Sequence, residues 1–154
     1  MANMTPEQMI MKIKEFQIGC HEAIINAMEK AALNIEATAK KYCTPGASPY
    51  DWFIYRSKEH YAQIHGREYH GAPYSLNDAV LHMRDTIQGN VRDEGDMVVG
   101  VVWTPVDYAI YVHEGTSMMQ PPRPFLLDAC QDELPDTMRL IEKGIKEAIK
   151  ERAE

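Results

Sequence analysis

The chain has 154 residues, a size typical of one domain and sufficient to bury a hydrophobic core. Hydrophobic residues make up 45% and charged residues 25%, which argues against disorder and against a membrane protein. The net charge of −7 disfavours tight, sequence-independent DNA binding, because phosphate neutralisation requires clustered Lys and Arg. No apolar run of about 18 residues and no secretory signal is present, so we expect a protein made in the cytoplasm.

A long N-terminal helix is predicted from Thr5 to about Tyr42. Thr5 suits the N-cap, and Pro6 and Glu7 suit the first turn. Apolar residues then recur at steps of three and four, which predicts one continuous buried stripe. The stripe consists of Met9, Ile13, Phe16, Cys20, Ile24, Ala27, Ala31, Ile35, Thr38 and Tyr42.

This helix is longer than one small sheet can cover, and further apolar residues lie beside its stripe. We therefore expect part of it to contact another subunit. The alternative is a kinked helix that folds on itself near Gly19, because an interior glycine weakens a helix by about 1 kcal/mol.

Residues 43–74 form an aromatic-rich insertion without a clear period. Aromatic side chains bury a large area each, so this segment must pack on its own domain or on a neighbour, and we favour interface packing. The possible interface residues are Tyr50, Trp52, Phe53, Tyr55 and Tyr61. The alternative is a single-strand nucleic-acid-binding module, in which Arg56, Lys58 and Arg67 would neutralise a strand stacked on the aromatic rings.

The histidines and cysteines do not form a metal-site pattern. His60, His65 and His70 are spaced by five, which puts them on different faces of a helix and on alternate faces of a strand. The three cysteines are widely spaced, so no disulfide framework is predicted. We predict no metal and no cofactor.

Catalytic motifs are also missing from the sequence. His113 and Glu114 begin like a zinc-peptidase helix, but that motif needs a second histidine where Ser117 stands. No nucleophile elbow and no phosphate-cradling glycine loop occurs. We therefore predict a protein that is not an enzyme.

A β-hairpin is predicted in the middle of the chain. After Ser75 a short helical turn should lead into a strand, followed by a turn at residues 93–96 and a partner strand at Met97–Trp103. The partner strand should be covered on both sides, with Gly100 permitting a bulge or a close approach, and should end at Pro105. The first-strand residues expected on one face are Leu81, Met83, Ile87 and Val91.

The chain should end in an amphipathic helix. Residues 128–133 continue a helical turn, Pro135 interrupts it, and the last helix follows with Met138, Ile141, Ile145 and Ile149 on its apolar face. Together these elements predict an α+β fold. A small, mainly antiparallel β-sheet is flanked by the long N-terminal helix and the C-terminal helix, in a single domain over residues 1–154.

Residues 108–126, YAIYVHEGTSMMQPPRPFL, combine a helical turn, a glycine stop and a proline-rich segment. An apolar cluster of Tyr108, Ala109, Tyr111 and Val112 can be buried on one side of the turn, and Gly115 with positive φ can close it. The prolines that follow favour an extended path, which Phe125 and Leu126 anchor again. Glu114 is expected to accept hydrogen bonds from backbone groups or from Arg123.

This segment resembles the motif of the tail-completion, or head-to-tail joining, proteins of tailed bacteriophages. The shared pattern is Tyr-Ala, a short aromatic stretch, Glu-Gly-Thr, a variable loop and Arg-Pro-Phe-Leu. It is borne by Tyr108, Ala109, Glu114, Gly115, Thr116, Arg123, Pro124, Phe125 and Leu126. The resemblance extends loosely over the whole chain, since these proteins look like a long first helix, a hairpin, this motif and a C-terminal helix.

The resemblance implies an architectural protein of the virion tail or neck, made in the bacterial cytoplasm. Copies would assemble as a ring, most often a hexamer, that acts as a tail terminator. The ring would cap the tail-tube protein and join it to the head-completion or neck proteins, leaving a channel through which DNA passes without specific binding. The alternative within this class is a head-closure or neck protein on the other side of the joint.

Overall fold

A computed structural model describes residues 5–44, 46–50, 52, 77–116 and 122–151. The two strands pair in an antiparallel sheet, so the predicted α+β fold, with a long N-terminal helix and a C-terminal helix, is confirmed. The elements in chain order are α1 (Pro6–Tyr42), α2 (Asn77–Thr86), β1 (Gln88–Asp93), β2 (Val98–Trp103), α3 (Ala109–Glu114) and α4 (Phe125–Glu151). No helix in the described part of the chain is long and apolar enough to span a bilayer.

Helix α1 begins with a capping box. The backbone N–H of Gln8 donates to Thr5 Oγ1 at 3.3 Å, and the Thr5 N–H donates to Gln8 Oε1 at 3.0 Å. These reciprocal bonds satisfy two backbone donors at the helix start. The helix then continues unbroken through Gly19 to Tyr42, so the alternative of a helix folding on itself at Gly19 is wrong.

The apolar stripe of α1 is buried only in its later part. Ala27, Ala31 and Ala39 are buried, whereas every residue from Thr5 to Ile18 is exposed. The predicted continuous buried stripe is therefore wrong for Met9, Ile13 and Phe16, which are 51%, 52% and 40% exposed. Periodicity identifies an apolar face, but it does not say whether the same chain supplies the surface that covers this face.

Helix α2 replaces much of the strand predicted after Ser75. Leu81 and Met83 lie in this ten-residue helix, and the strand starts only at Gln88. Val80, Met83 and Ile87 are buried at steps of three and four, which is the helical spacing. The spacing of apolar residues over this short stretch fits both a strand and a helix. The helix forms because it brings Val80 and Met83 into the core.

The hairpin turn lies where the sequence predicts it. Residues 94–97 connect the strands, the Glu94 N–H donates to the Met97 carbonyl at 2.9 Å, and the Gly95 N–H donates to Asp93 Oδ1 at 3.0 Å. Strand β2 is half buried rather than covered on both sides, and its last residue, Trp103, is 41% exposed.

Helix α4 runs through Pro135, which was predicted to interrupt it. A proline inside a helix removes one backbone hydrogen bond, to the carbonyl four residues earlier. That carbonyl belongs to Gln131, and both residues are exposed, so water can replace the missing donor. The turns on both sides keep the helix continuous.

The described residues pack as two compact units. The first contains residues 5–34, 89–101 and 132–151, where a Cβ added to Gly144 would lie 3.2 Å from the Ala23 carbonyl oxygen, so α1 and α4 pack closely there. In this unit His21 Nε2 lies 3.0 Å from Asp93 Oδ2 and links α1 to the hairpin turn. The second unit contains the described residues of 35–88 and 102–131 and holds the main hydrophobic cluster.

Candidate functional site

The site is built in the second unit around the short helix α3. Tyr108 is its N-cap residue, and its hydroxyl donates to the Ala79 carbonyl in α2 at 2.7 Å. Ala109 and Val112 are buried, one turn apart, against the hydrophobic cluster. Tyr111 was expected on the same side, but it is 56% exposed. The turn therefore buries a narrow face and presents Tyr111 to solvent.

Gly115 ends α3 with φ 77° and ψ 163°. The predicted positive φ is confirmed. The ψ angle differs from that of a left-handed helical cap, and this combination of angles is essentially restricted to glycine. Gly115 thus turns the chain out of α3 into an extended direction that a residue with a side chain would enter only under strain.

The segment from Pro122 to Leu126 returns to α3 and docks on it. The Arg123 N–H donates to the Val112 carbonyl at 3.1 Å, and the Phe125 N–H donates to the Arg123 carbonyl at 2.7 Å. The Phe125 side chain is fully buried, and its ring lies edge-on to His113 with centroids 5.7 Å apart. Phe125 is also the first residue of α4, so it anchors the segment and starts the last helix at one point.

Arg123 is a buried cation that lies against an aromatic face. It is 2% exposed, and its guanidinium carbon is 5.6 Å from the centroid of the Trp52 ring. Trp52 is also 2% exposed and donates from Nε1 to the Tyr42 carbonyl at 2.9 Å. A desolvated guanidinium over an indole face contributes about 2 kcal/mol. This pair joins the motif to the end of α1.

Two further aromatic rings, those of Tyr50 and Tyr42, continue the cluster from Trp52. Tyr50 lies edge-on to both Trp52 and Tyr42, at centroid distances of 5.9 and 6.1 Å. Its hydroxyl donates to Asp128 Oδ2 in the first turn of α4. Burial, the hydrogen bond to Asp128 and the charge of this carboxylate raise the pKa of Tyr50, so it remains a neutral hydrogen-bond donor.

The structure thus brings most of the motif together. Tyr108, Ala109, Arg123, Phe125 and Leu126 all contact or belong to the cluster. Pro124 accepts the Asp128 N–H at 2.8 Å, and Thr116 follows Gly115 as a half-buried residue.

Glu114 has a different partner from the one predicted. Its Oε1 lies 2.8 Å from His113 Nδ1, and its side chain is 69% exposed. The predicted bond from Arg123 is not formed, because the guanidinium lies over Trp52 in the interior.

The predicted interface residues fall into two groups. Trp52 belongs to the buried core of its own unit, and Tyr50 is half buried beside it. The other three, Phe53, Tyr55 and Tyr61, lie outside the described residues, as do His60, His65 and His70.

Sequence reasoning missed Ala79 and Asp128, and it missed the backbone-carbonyl roles of Tyr42 and Val112, which were expected only as buried apolar side chains. The backbone carbonyls of Tyr42, Ala79 and Val112 accept hydrogen bonds at this site, and no sequence pattern predicts such contacts. Asp128 carried a weak signal, since an acidic residue in the first turn of a helix is favoured by the helix dipole.

The side chains gathered at this site form a packed, mainly hydrophobic cluster. Burial raises the pKa of the nearby Cys43 thiol to about 12, so it is neutral and poorly nucleophilic at ordinary pH. Within the residues that the structure describes, no three His, Cys, Asp or Glu side chains form a group able to hold a metal ion.

Comparison of the chain with family models, with curated proteins and with solved structures finds no match in any of the three. We therefore infer the function from the residues and from their arrangement.

Proposed function

We propose that this chain is a structural protein of a tailed bacteriophage, a tail-completion or tail-terminator subunit. Copies form a closed ring, a hexamer by resemblance, that joins the tail tube to the head-completion proteins and leaves a DNA channel. The resemblance of residues 108–126 to the joining-protein motif indicates the class of protein.

The observation that carries the proposal is the exposed beginning of α1. Residues from Thr5 to Ile18 are all exposed, yet six of them are large apolar side chains. Met9, Ile13 and Phe16 lie on one side of the helix, and monomeric proteins rarely leave a contiguous apolar face in water, so this face marks an interaction site. A subunit of a larger assembly would cover it on assembly.

The docked segment supports the same function. Gly115, the Arg123–Val112 hydrogen bond and the buried Phe125 fix the path of the chain after α3, so neighbouring exposed residues are held in place. Ile110, Tyr111 and Leu127 are 61%, 56% and 50% exposed around this rigid centre. A fixed apolar surface loses little entropy when it binds a partner.

The acidic net charge supports a channel through which DNA passes without being bound. The net charge is −7, so a channel lining built from this chain is expected to be neutral or acidic. Burial of Trp52 and half-burial of Tyr50 also remove two rings from the stacking platform that a single-strand-binding module would need. Tight, salt-sensitive binding of labelled single-stranded or duplex DNA would favour the nucleic-acid-binding alternative instead.

The direct test is a tube-capping experiment. The purified chain is mixed with polymerised tail-tube protein encoded in the same phage genome, and its position is determined by gold labelling and electron microscopy. We expect label at one end of each tube and tubes of limited length. Label confined to isolated head-connector complexes would identify the head-closure alternative, and no label on either partner would contradict the proposal.

A further inference from the structure

The first four turns of α1 carry an apolar face that lacks a partner within the described residues. Positions 9, 13 and 16 lie on one side of the helix, with position 10 adjacent. The exposed fractions are 51% for Met9, 54% for Ile10, 52% for Ile13 and 40% for Phe16. A helical segment of four turns that is exposed on all sides is only marginally stable in water. A surface that covers its apolar face would therefore stabilise it.

A groove of matching character lies in the second unit beside the docked motif. It has a volume of about 320 Å³ and is lined mainly by apolar residues. Exposed Trp103 and Ile110 belong to its lining, and Ala109 and Phe125 are among its buried residues. The volume corresponds to roughly ten water molecules, enough for large side chains to enter.

We propose that the Met9–Phe16 face of α1 in one copy docks into the Trp103–Ile110 groove of the next copy. The contact is heterologous, because each subunit contributes its helix face to one neighbour and its groove to another. Repetition of such a contact closes into a ring when the rotation between subunits permits it. This inference rests on the proposed ring function and identifies the surfaces by which its subunits meet.

Charge and area support a second copy as the occupant. Lys12 flanks the apolar face, and the exposed Asp107 belongs to the groove, so opposite charges can set the orientation of docking. Glu15 lies on the opposite side of the helix. Met9, Ile10, Ile13 and Phe16 are each at least 40% exposed and would form the apolar centre of an interface of standard size, roughly 800 Å² per partner.

The test uses one substitution on each surface. Ile13→Asp places a charge on the helix face, and Ile110→Asp places one in the groove. Both side chains are more than half exposed in the single chain, so the variants should keep the wild-type circular dichroism spectrum. Analytical ultracentrifugation should then show assembly of the wild-type chain and monomers for each variant alone.

Mixing the two variants decides whether the surfaces are partners. The Ile13→Asp copy retains an intact groove, and the Ile110→Asp copy retains an intact helix face. An equimolar mixture therefore contains one functional contact per pair and should form 1:1 dimers without larger species. Ile18→Asp, 58% exposed on the other side of the helix, is the matched control and should assemble like the wild type.

Other results would overturn the inference. Wild-type assembly by Ile110→Asp would point to a symmetric helix–helix contact. A mixture that stays monomeric would show that the two surfaces have different partners. A wild-type chain that is monomeric alone but binds tail-tube protein through Ile13 would assign the helix face to the tube.

The outcomes separate this inference from the proposed function. Formation of 1:1 dimers by a chain that caps no tail tube would retain the contact and reject the tail function. Rings that persist with both substitutions and still cap tubes would retain the function and reject the contact.

Discussion

The backbone N–H of Arg123 donates to the Val112 carbonyl at 3.1 Å, so the segment after the prolines is fastened to the last turn of α3. The same arginine lies over Trp52, near the end of α1. One residue thus connects three separate parts of the second unit. The stability of this unit should depend on the geometry of its motif, and three predictions test this dependence. A fourth concerns the contact between His21 and Asp93 in the first unit.

Gly115→Ala should destabilise the fold through backbone strain alone. At φ 77° and ψ 163° a Cβ is strongly disfavoured, and the expected loss is about 1–3 kcal/mol in the free energy of unfolding. Gly115→Val should lose at least as much, and should also assemble poorly. Urea denaturation measures the effect, with Glu114→Ala at the exposed neighbour as the control. Equal stability of the two alanine variants would show that the backbone can relax at this point.

Phe125→Ala should be strongly destabilising because it opens a cavity where a fully buried ring was. The expected loss is about 3–5 kcal/mol. Leu127→Ala, two residues later in the same helix, removes a side chain that is 50% exposed and should cost far less. Comparable unfolding midpoints for these two variants would be inconsistent with Phe125 as the anchor of the segment.

Arg123→Lys should weaken the fold although it keeps the charge. A lysine ammonium can still approach the ring but lacks the planar guanidinium that lies over Trp52, so we expect a loss of up to about 2 kcal/mol, the value of the whole contact. Arg139→Lys, at a side chain that is 77% exposed, is the control and should change stability by less than about 0.5 kcal/mol. If the two substitutions have the same effect, the planar guanidinium of Arg123 adds no stability beyond what an ammonium group supplies.

The contact between His21 and Asp93 should make stability depend on pH in the acid range. The hydrogen bond from His21, followed by that from the Gly95 N–H, lowers the pKa of Asp93 below its usual value. A lowered carboxyl pKa gives stability that is fully present above the pKa of the unfolded chain. This stability is lost as the pH falls through the folded value.

Near pH 6 the wild-type chain should therefore have a higher denaturation midpoint than Asp93→Asn. The difference between the two midpoints should disappear at strongly acidic pH. Asp96→Asn, in the same turn, is the control for removal of one negative charge. A difference that is constant across the acid range would contradict a role for the ionised Asp93 carboxylate.

Local signals predicted much of the fold. Thr5 and the three- and four-residue apolar steps fixed the bounds of α1, and residues 93–96 fixed the hairpin turn, because capping and turn chemistry involve only near neighbours. The α2 region was mispredicted because Leu81 and Met83 fit both periods. The prediction that Pro135 interrupts the last helix was wrong, because water can hydrate the exposed Gln131 carbonyl in place of the missing backbone donor.

The candidate site was predicted only in part. The positive φ of Gly115 followed from its position after the last apolar residue of a helical turn. The stacking of Arg123 on Trp52 joins residues far apart in the chain, and no periodicity or spacing encodes such a pair. The exposure of Met9 and Ile13 could not be predicted either, because burial depends on which surfaces the rest of the chain supplies.

The central claim is that copies of this chain close into a ring. Electron microscopy of the purified full-length protein, with its mass in solution determined by light scattering, tests it most directly. We expect a uniform, rotationally symmetric ring, a hexamer by resemblance, with an open centre wide enough for duplex DNA. A protein that remains monomeric at all concentrations, both alone and with tail-tube protein, would contradict it.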